Sequence, residues 1–552
     1  MTAFTNRILA KRILGWIATT ALLLTPLAPA LAQSKPVLIV SITPTDEVLA
    51  DIQYGAKVTG MDASPILFPA AALLEGVDRT RPIGMYLTPK PGGGDFEGML
   101  FIPVTDFKKV LEKIKGALGE PKDAGDGVKE LATPVGQPVF FKEQKGWVFI
   151  SQKKDGLANP SADPAAVLGT LPKEYTLAVR ALVQNIPADL KSLAVQTIKE
   201  AMENGLKQGG GAQDRELAEK MARNTLAGLE KMVNELDSIT LGLNIDQPGQ
   251  KVYLDLSITA VEGSSLAKQF AQQAEVKSAF GGFLSPGAAA TLNIASQLSP
   301  DDIEQTKGLI TGFQKKAMED IGKDPNLPAD KKPVVKELVN SLIGVLTKTI
   351  EAGKLDVGAS LLLEPKSLGF VIGGLVADGA EIEKTFKRMA ELAKADPNAP
   401  KIQLDSGSHG GIQFHTLTKP IPEHEKQARE MLGEELTIIL GVGQQSFYVS
   451  FGKNAESLLK SVIDKSAADG AKAVLPMQLN VSLLPLLKFA ASMDDNPIVG
   501  QLIPILEKSQ KDKVAFFAQP IPRGQTIRVQ LDEGVVQAIG EAAKKVTGER
   551  GR

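Results

Sequence analysis

Four times along this 552-residue chain a strand-like apolar run ends at a proline and gives way to helical spacing. The runs are VLIVSITP to Pro44, LAVRALVQNIP to Pro187, TLNIASQLSP to Pro300 and MQLNVSLLP to Pro485. Proline suits the first turn of a helix, whose amides have no acceptor within the helix. Thr43 and Ser299 precede two of these prolines, and Asp46, Asp301 and Asp302 follow them. That pattern predicts an N-cap with negative side chains at the positive end of the helix dipole. After each helix the period falls to two. In KVYLDLSI, Val252, Leu254, Leu256 and Ile258 alternate with Lys251, Tyr253, Asp255 and Ser257. In TIRVQLD, Ile527, Val529 and Leu531 alternate with Thr526, Arg528, Gln530 and Asp532. Both segments predict strands with one wet face. By contrast GFVIGGLVA, LTIILGVG and GMLFIPV are apolar on both faces. Such strands need cover on both sides, from helices on one and from the other half of the molecule, a second subunit or an apolar ligand on the other.

A second signature follows each helix: two strands joined by a short turn, then a helix that opens at an acid. The turns share Gly249-Gln250 and Gly524-Gln525, and the acids are Asp106, Glu262-Gly263, Asp378-Gly379 and Glu533-Gly534. The chain therefore reads as four related β-α-β-β-α modules, residues 33–168, 169–280, 281–470 and 471–552, in two duplicated halves that divide near residue 280. The first and third modules carry extra strands. The predicted class is α+β, mainly antiparallel sheet with helices on one face. The element order resembles the ferredoxin-like sandwich, a likeness of fold that carries no activity. The glycine-rich stretch 205–216 and the proline-rich stretch 322–335 read as connectors. Gly92–Gly94 joins two strands, whereas a phosphate cradle needs a strand that runs into a helix.

Residues 1–32 read as a cleaved signal peptide. Arg7, Lys11 and Arg12 precede an apolar run from Ile13 to Leu27, and Ala30-Leu31-Ala32 offers a small-x-small cleavage pattern before Gln33. The run is short of the ~20 residues that span a bilayer, and Pro26 and Pro29 interrupt its end. The mature chain is expected to be soluble, in the periplasm or outside the cell, with no transmembrane anchor after cleavage. Cysteine is absent from the whole chain, which excludes disulfides, thiol chemistry and cysteine-ligated metals. Loss of residues 1–32 removes three basic and no acidic residues, so the formal charge moves from −2 to −5. With aromatics at 5% and no basic block, a nucleic-acid groove is not expected.

All three histidines fall in SHGGIQFHTLTKPIPEHE, as His409, His415 and His424, with Glu423 and Glu425 beside the last. The stretch reads as a hairpin, His409 near its tip and His415 on the returning strand. Matched to TPVGQPVFFKEQKG, Gly410 falls on Gly136, Phe414 on Phe140 and His415 on Phe141. Six extended residues span up to ~20 Å, too far for His409 and His415 to share an ion. His424 could fold back on one of them, with Glu423 or Glu425. Ala428 occupies the position where an H-E-x-x-H motif needs its second ligand. The expectation is one partly buried imidazole and two at the surface. Ser457 and Lys460 have serine–lysine spacing on a helix but lack the companion motifs. No catalytic, cofactor-binding or metal-binding residue is assigned, and no cofactor. The function expected is a non-catalytic binding or structural protein of the bacterial periplasm or cell envelope, with sheet packing or homodimerisation through the two-sided strands. One alternative is a carrier of an apolar ligand such as a lipid, with room left by Gly373, Gly374, Gly441 and Gly443. A second is an envelope hydrolase that uses carboxylates or the group from His409 to His424.

Overall fold

The computed structural model describes residues 35–90, 95–133, 137–208, 226, 228–325, 327–394, 399–470, 472–494 and 496–549. The expected signal peptide, Gly92–Gly94, Gly136 and connector residues 209–216 lie outside the described residues. The chain divides into two units, Met1–Glu200 with Glu230–Val261 and Val536–Arg552, and Ala201–Leu229 with Glu262–Val535.

In the first unit β1 (Leu38–Ile42) leads to helices α1 (Thr45–Thr59) and α2 (Ser64–Leu73). The hairpin β2 (Ile83–Pro89) and β3 (Phe96–Pro103) leads to α3 (Phe107–Leu118). Four strands follow: β4 (Lys122–Gly125), β5 (Val128–Ala132), β6 (Pro138–Gln144) and β7 (Trp147–Ser151). A short helix α4 (Leu171–Glu174) precedes β8 (Leu177–Leu182), then α5 (Ala188–Gln208) and the hairpin β9 (Leu236–Asp246) and β10 (Lys251–Ala260). The order across the sheet is β4-β5-β6-β7-β3-β2-β1-β8-β9-β10, antiparallel throughout.

The second unit starts with α6 (Ser265–Gln273) and β11 (Ala290–Gln297), followed by the helices α7 (Pro300–Lys323) and α8 (Lys332–Glu351). Next come β12 (Lys354–Glu364), β13 (Ser367–Leu375), α9 (Gly379–Ala393), β14 (Lys401–His409) and β15 (Ile412–Pro420). Helix α10 (Lys426–Leu432), β16 (Glu435–Val442), β17 (Ser446–Gly452) and α11 (Ala455–Asp469) follow. The chain ends through β18 (Met477–Ser482), α12 (Leu483–Met493), α13 (Pro497–Ser509), β19 (Lys513–Ile521), β20 (Gly524–Asp532) and α14 (Glu533–Glu549), which from Val536 on belongs to the first unit. The sheet order is β14-β15-β16-β17-β13-β12-β11-β18-β19-β20, again antiparallel. Place for place it is the order of the first unit. The class is α+β, and among the described residues no helix is long and apolar enough to cross a membrane.

Local rules account for most helix starts. Pro44 and Pro187 stand just before α1 and α5, Pro300 is the first residue of α7, and Pro485 lies in the first turn of α12. Ser299 caps α7 as expected: its hydroxyl accepts from Asp302 N at 3.2 Å, while Ser299 N donates back to the Asp302 carboxylate at 3.0 Å. Asp106 accepts from Lys108 N, and Asp378 from Glu381 N, at 3.0 and 3.1 Å. Two expected caps differ. Thr43 donates instead to Glu47 and to the Pro172 carbonyl, leaving Pro44 as the cap residue of α1. Glu262 stands before the cap of α6, which is Ser264.

In each unit one face of the strands is sealed by a core. In the first unit Ile39, Met99, Phe101, Phe149 and Ala178 pack under Leu157, Leu168 and Leu171 of the segment that follows β7. In the second, Val371, Ile439 and Tyr448 pack under Phe280, Phe283 and the α11 residues Leu459, Val462 and Ile463. Asp356, 1% exposed, fastens the covering loop, its carboxylate accepting from Ser278 Oγ at 2.6 Å and Ala279 N at 2.8 Å.

Candidate functional site

The opposite face of each sheet is where the structure departs from the alternation rule. Side chains alternate along a strand, so residues paired across strands share a face. In the first unit one such row crosses eight strands from β6 to β10: Phe141, Ile150, Leu100, Met85, Val40, Val179, Leu241 and Leu256. In the second the matching row runs from β16 to β20: Leu440, Val449, Ile372, Ala359, Leu292, Leu479, Phe516 and Val529. Every position is apolar. Seven strand spacings make each row roughly 34 Å long.

One end of each row is sealed. Helix α3 lays Phe107, Val110, Leu111 and Ile114 over Phe141, Val148 and Ile150. In the second unit Val345 of α8 and Ile382 of α9 cover Val442 and Phe447, which lie on the same face. The other end stands open. Leu241 is 47% exposed and Leu254 42%, with Leu177, Leu243 and Leu256 beside them in register, and Val529 is 39% exposed on β20.

The wet face expected of KVYLDLSI and TIRVQLD is therefore the leucine and valine face, while the polar one is covered. Asp255 is buried and accepts from the Tyr175 hydroxyl at 3.0 Å, and Thr526 is buried as well. The covering segments hold the polar groups that satisfy Asp255 and Asp356, so these acids are drawn inward and the apolar side is left to solvent.

The four glycines expected to leave room for a ligand make room for the protein itself. A Cβ on Gly373 would lie 2.4 Å from Tyr448 and 3.0 Å from Phe283, and one on Gly443 would meet Ser446 and Ile412. Gly441 is closed off by Ile412 and Tyr448, and Gly374 by Val357 and the Asp356 carbonyl.

The histidines do not gather. His409 Nε2 lies 2.6 Å from Asp464 on α11, and His424 is exposed before α10. His415 is wholly buried, with Phe386 of α9 tilted over it at 5.3 Å. Its counterpart by strand register is Lys129 on β5, since β5 takes the place of β15 in the shared order; Phe141, on β6, corresponds to Leu440. A turn glycine had suggested the wrong hairpin. His415 Nδ1 accepts from Asp405 N at 3.1 Å, which places the neutral ring's proton on Nε2, a buried atom with no hydrogen-bond partner. Burial holds the imidazole below its usual 6.5; Asp405 and Glu383 oppose that shift and Lys387 reinforces it. Glu383, Asp405 and His415 offer ligand atoms within 4.8 Å of one another, the one such group among the described residues. Lys387 reaches both carboxylates, at 2.6 Å from Glu383 and 3.6 Å from Asp405, and Nδ1 has already spent its lone pair on an amide. An ion there would have to displace the ammonium. Sequence spacing missed Glu383 and Asp405 because a helix and a strand bulge bring them together. Ser457 and Lys460 do not form a pair either: the hydroxyl donates to the Asn454 carbonyl and the ammonium holds Glu456.

Comparison of the chain with protein-family models, with curated proteins and with solved structures returns no match.

Proposed function

We propose that this is an exported, non-catalytic binding protein of the bacterial periplasm or cell envelope, and that the open apolar sheet face is its binding surface. The observation that carries the reading is the sidedness of β8, β9 and β10, where leucines point to solvent while Asp255 points inward. Exposing contiguous apolar area is unfavourable by ~25 cal/mol for each Å². Large patches of this kind commonly mark interaction sites. Its side chains are almost all aliphatic and without polar groups, which suits an apolar ligand such as a lipid chain or a second copy of the same face. The matching strand orders support a chain made by duplication of one half, and the helix that follows each strand hairpin supports related β-α-β-β-α modules with ferredoxin-like connectivity.

The test uses residues 33–552 purified from an exporting bacterium. Organic extraction and mass spectrometry report bound lipid, and light scattering reports mass. A stoichiometric lipid supports a carrier, and a dimer that Leu241→Lys dissociates supports self-association. A monomer that holds no lipid and takes up no apolar fluorescent probe overturns the proposal.

A further inference from the structure

We propose that a polar cleft in the first unit binds a small organic cation, specifically a primary ammonium compound carrying one positive charge. The cleft encloses about 560 Å³, within the range of small-molecule sites. One wall is a single stripe of α1, Glu47, Ala50, Asp51 and Tyr54, at helical spacing i, i+3, i+4 and i+7. Lys173 and Tyr175 before β8, Asn244 near the end of β9 and Gln247 just after it also line the cleft.

Asp51 is the centre of the argument. It is 8% exposed, and its two oxygens accept from Thr176 Oγ1 and Gln247 Nε2, each at 2.8 Å. Both donors are neutral, and among the described residues no lysine or arginine pairs with this carboxylate. Neutral donors also hold the buried Asp255 and Asp356, but Asp51 differs from them in lining a cleft that a cation can enter, and such donors offset only part of a carboxylate's lost hydration. Glu47, one turn earlier on the same stripe, accepts from Thr43 and keeps its second oxygen for other donors. Tyr54 and Tyr175 add ring surface, which attracts ammonium groups through the π cloud. Burial and the Asp255 carboxylate push the Tyr175 hydroxyl up to about 12, so the ring stays neutral. Two carboxylates and one lysine leave a single negative charge in the lining, which a monocation balances and an anion would oppose.

The cleft lining includes none of the exposed leucines of the apolar face, and its test does not depend on that reading. Calorimetric titration of the chain 33–552 at pH 7 uses ethanolamine as the ammonium probe. Ethylene glycol serves as its neutral counterpart of similar size, and glucose as a neutral polyol. Ethanolamine is expected to bind saturably at one site, with ethylene glycol and glucose silent. Asp51→Asn should weaken binding about tenfold or more, the usual effect of losing a charge-assisted hydrogen bond. Glu47→Gln, at an exposed position, should weaken it several-fold with an unchanged melting temperature, and it decides the question if the Asp51 variant does not fold. Equal binding of ethylene glycol or glucose, indifference of ethanolamine to the variants that fold, or no binding of ethanolamine overturns the proposal.

Discussion

His415 shows how much a single buried group can set. Its neutral ring is held by one amide and sealed under Phe386, so protonation inside the fold would put a charge on a desolvated ring, a cost that the nearby Asp405 and Glu383 offset only in part. The folded affinity for a proton is lowered, so the sign follows directly. Below the unfolded value of 6.5 the unfolded chain takes up a proton that the folded chain does not, and stability falls with falling pH until the folded value is passed. The slope from this one group cannot exceed about 1.4 kcal/mol per pH unit. Urea midpoints at pH 7.5 and 5.5 should therefore differ in the wild type, and His415→Gln should flatten the difference. Asp356 makes a second residue-scale case. Asp356→Ala would strand the Ser278 hydroxyl and the Ala279 amide beneath the loop, and a cost of about 2–5 kcal/mol is expected in denaturant unfolding. The cluster of Glu383, Asp405 and His415 was not legible in the sequence, because its members come from α9, β14 and β15.

At the scale of elements, the helix starts were the most legible part of the chain. Proline, hydroxyl and acid act within one turn, so their spacing is also their geometry. The exceptions are informative: Thr43 and Glu262 have cap-like positions in the sequence, but nearby groups compete for them. Asp378→Ala should destabilise by about 1 kcal/mol as a lost cap, whereas Glu262→Ala should change stability by less than about 0.5 kcal/mol, both read by thermal melts. The strand β10 gives the sharper contrast. Its period of two was plain from the sequence, yet which side faces in was not. Leu254→Ser should cost less than about 1 kcal/mol, while Asp255→Leu should cost more, because it takes the carboxylate acceptor away from the buried Tyr175 hydroxyl.

For the whole molecule, the strands of the two units follow one order and carry one apolar row each, sealed by helices at one end. Paired substitutions Leu241→Lys and Leu256→Lys should leave the fold intact, since both side chains are already exposed, and should remove any bound apolar ligand or self-association. Retention of a lipid by that variant would detach the binding surface from this face.

The α+β class, the alternation of the strands and the helix starts at the four prolines and at most of the repeated acids were readable from the chain alone, because all of these act between residues a few positions apart. Tertiary structure alone decided which face of each strand is sealed, which hairpin matches which, and which carboxylates meet His415. Those outcomes depend on pairing partners and covering segments tens to hundreds of residues away, and a period of two reads the same whichever side is turned inward.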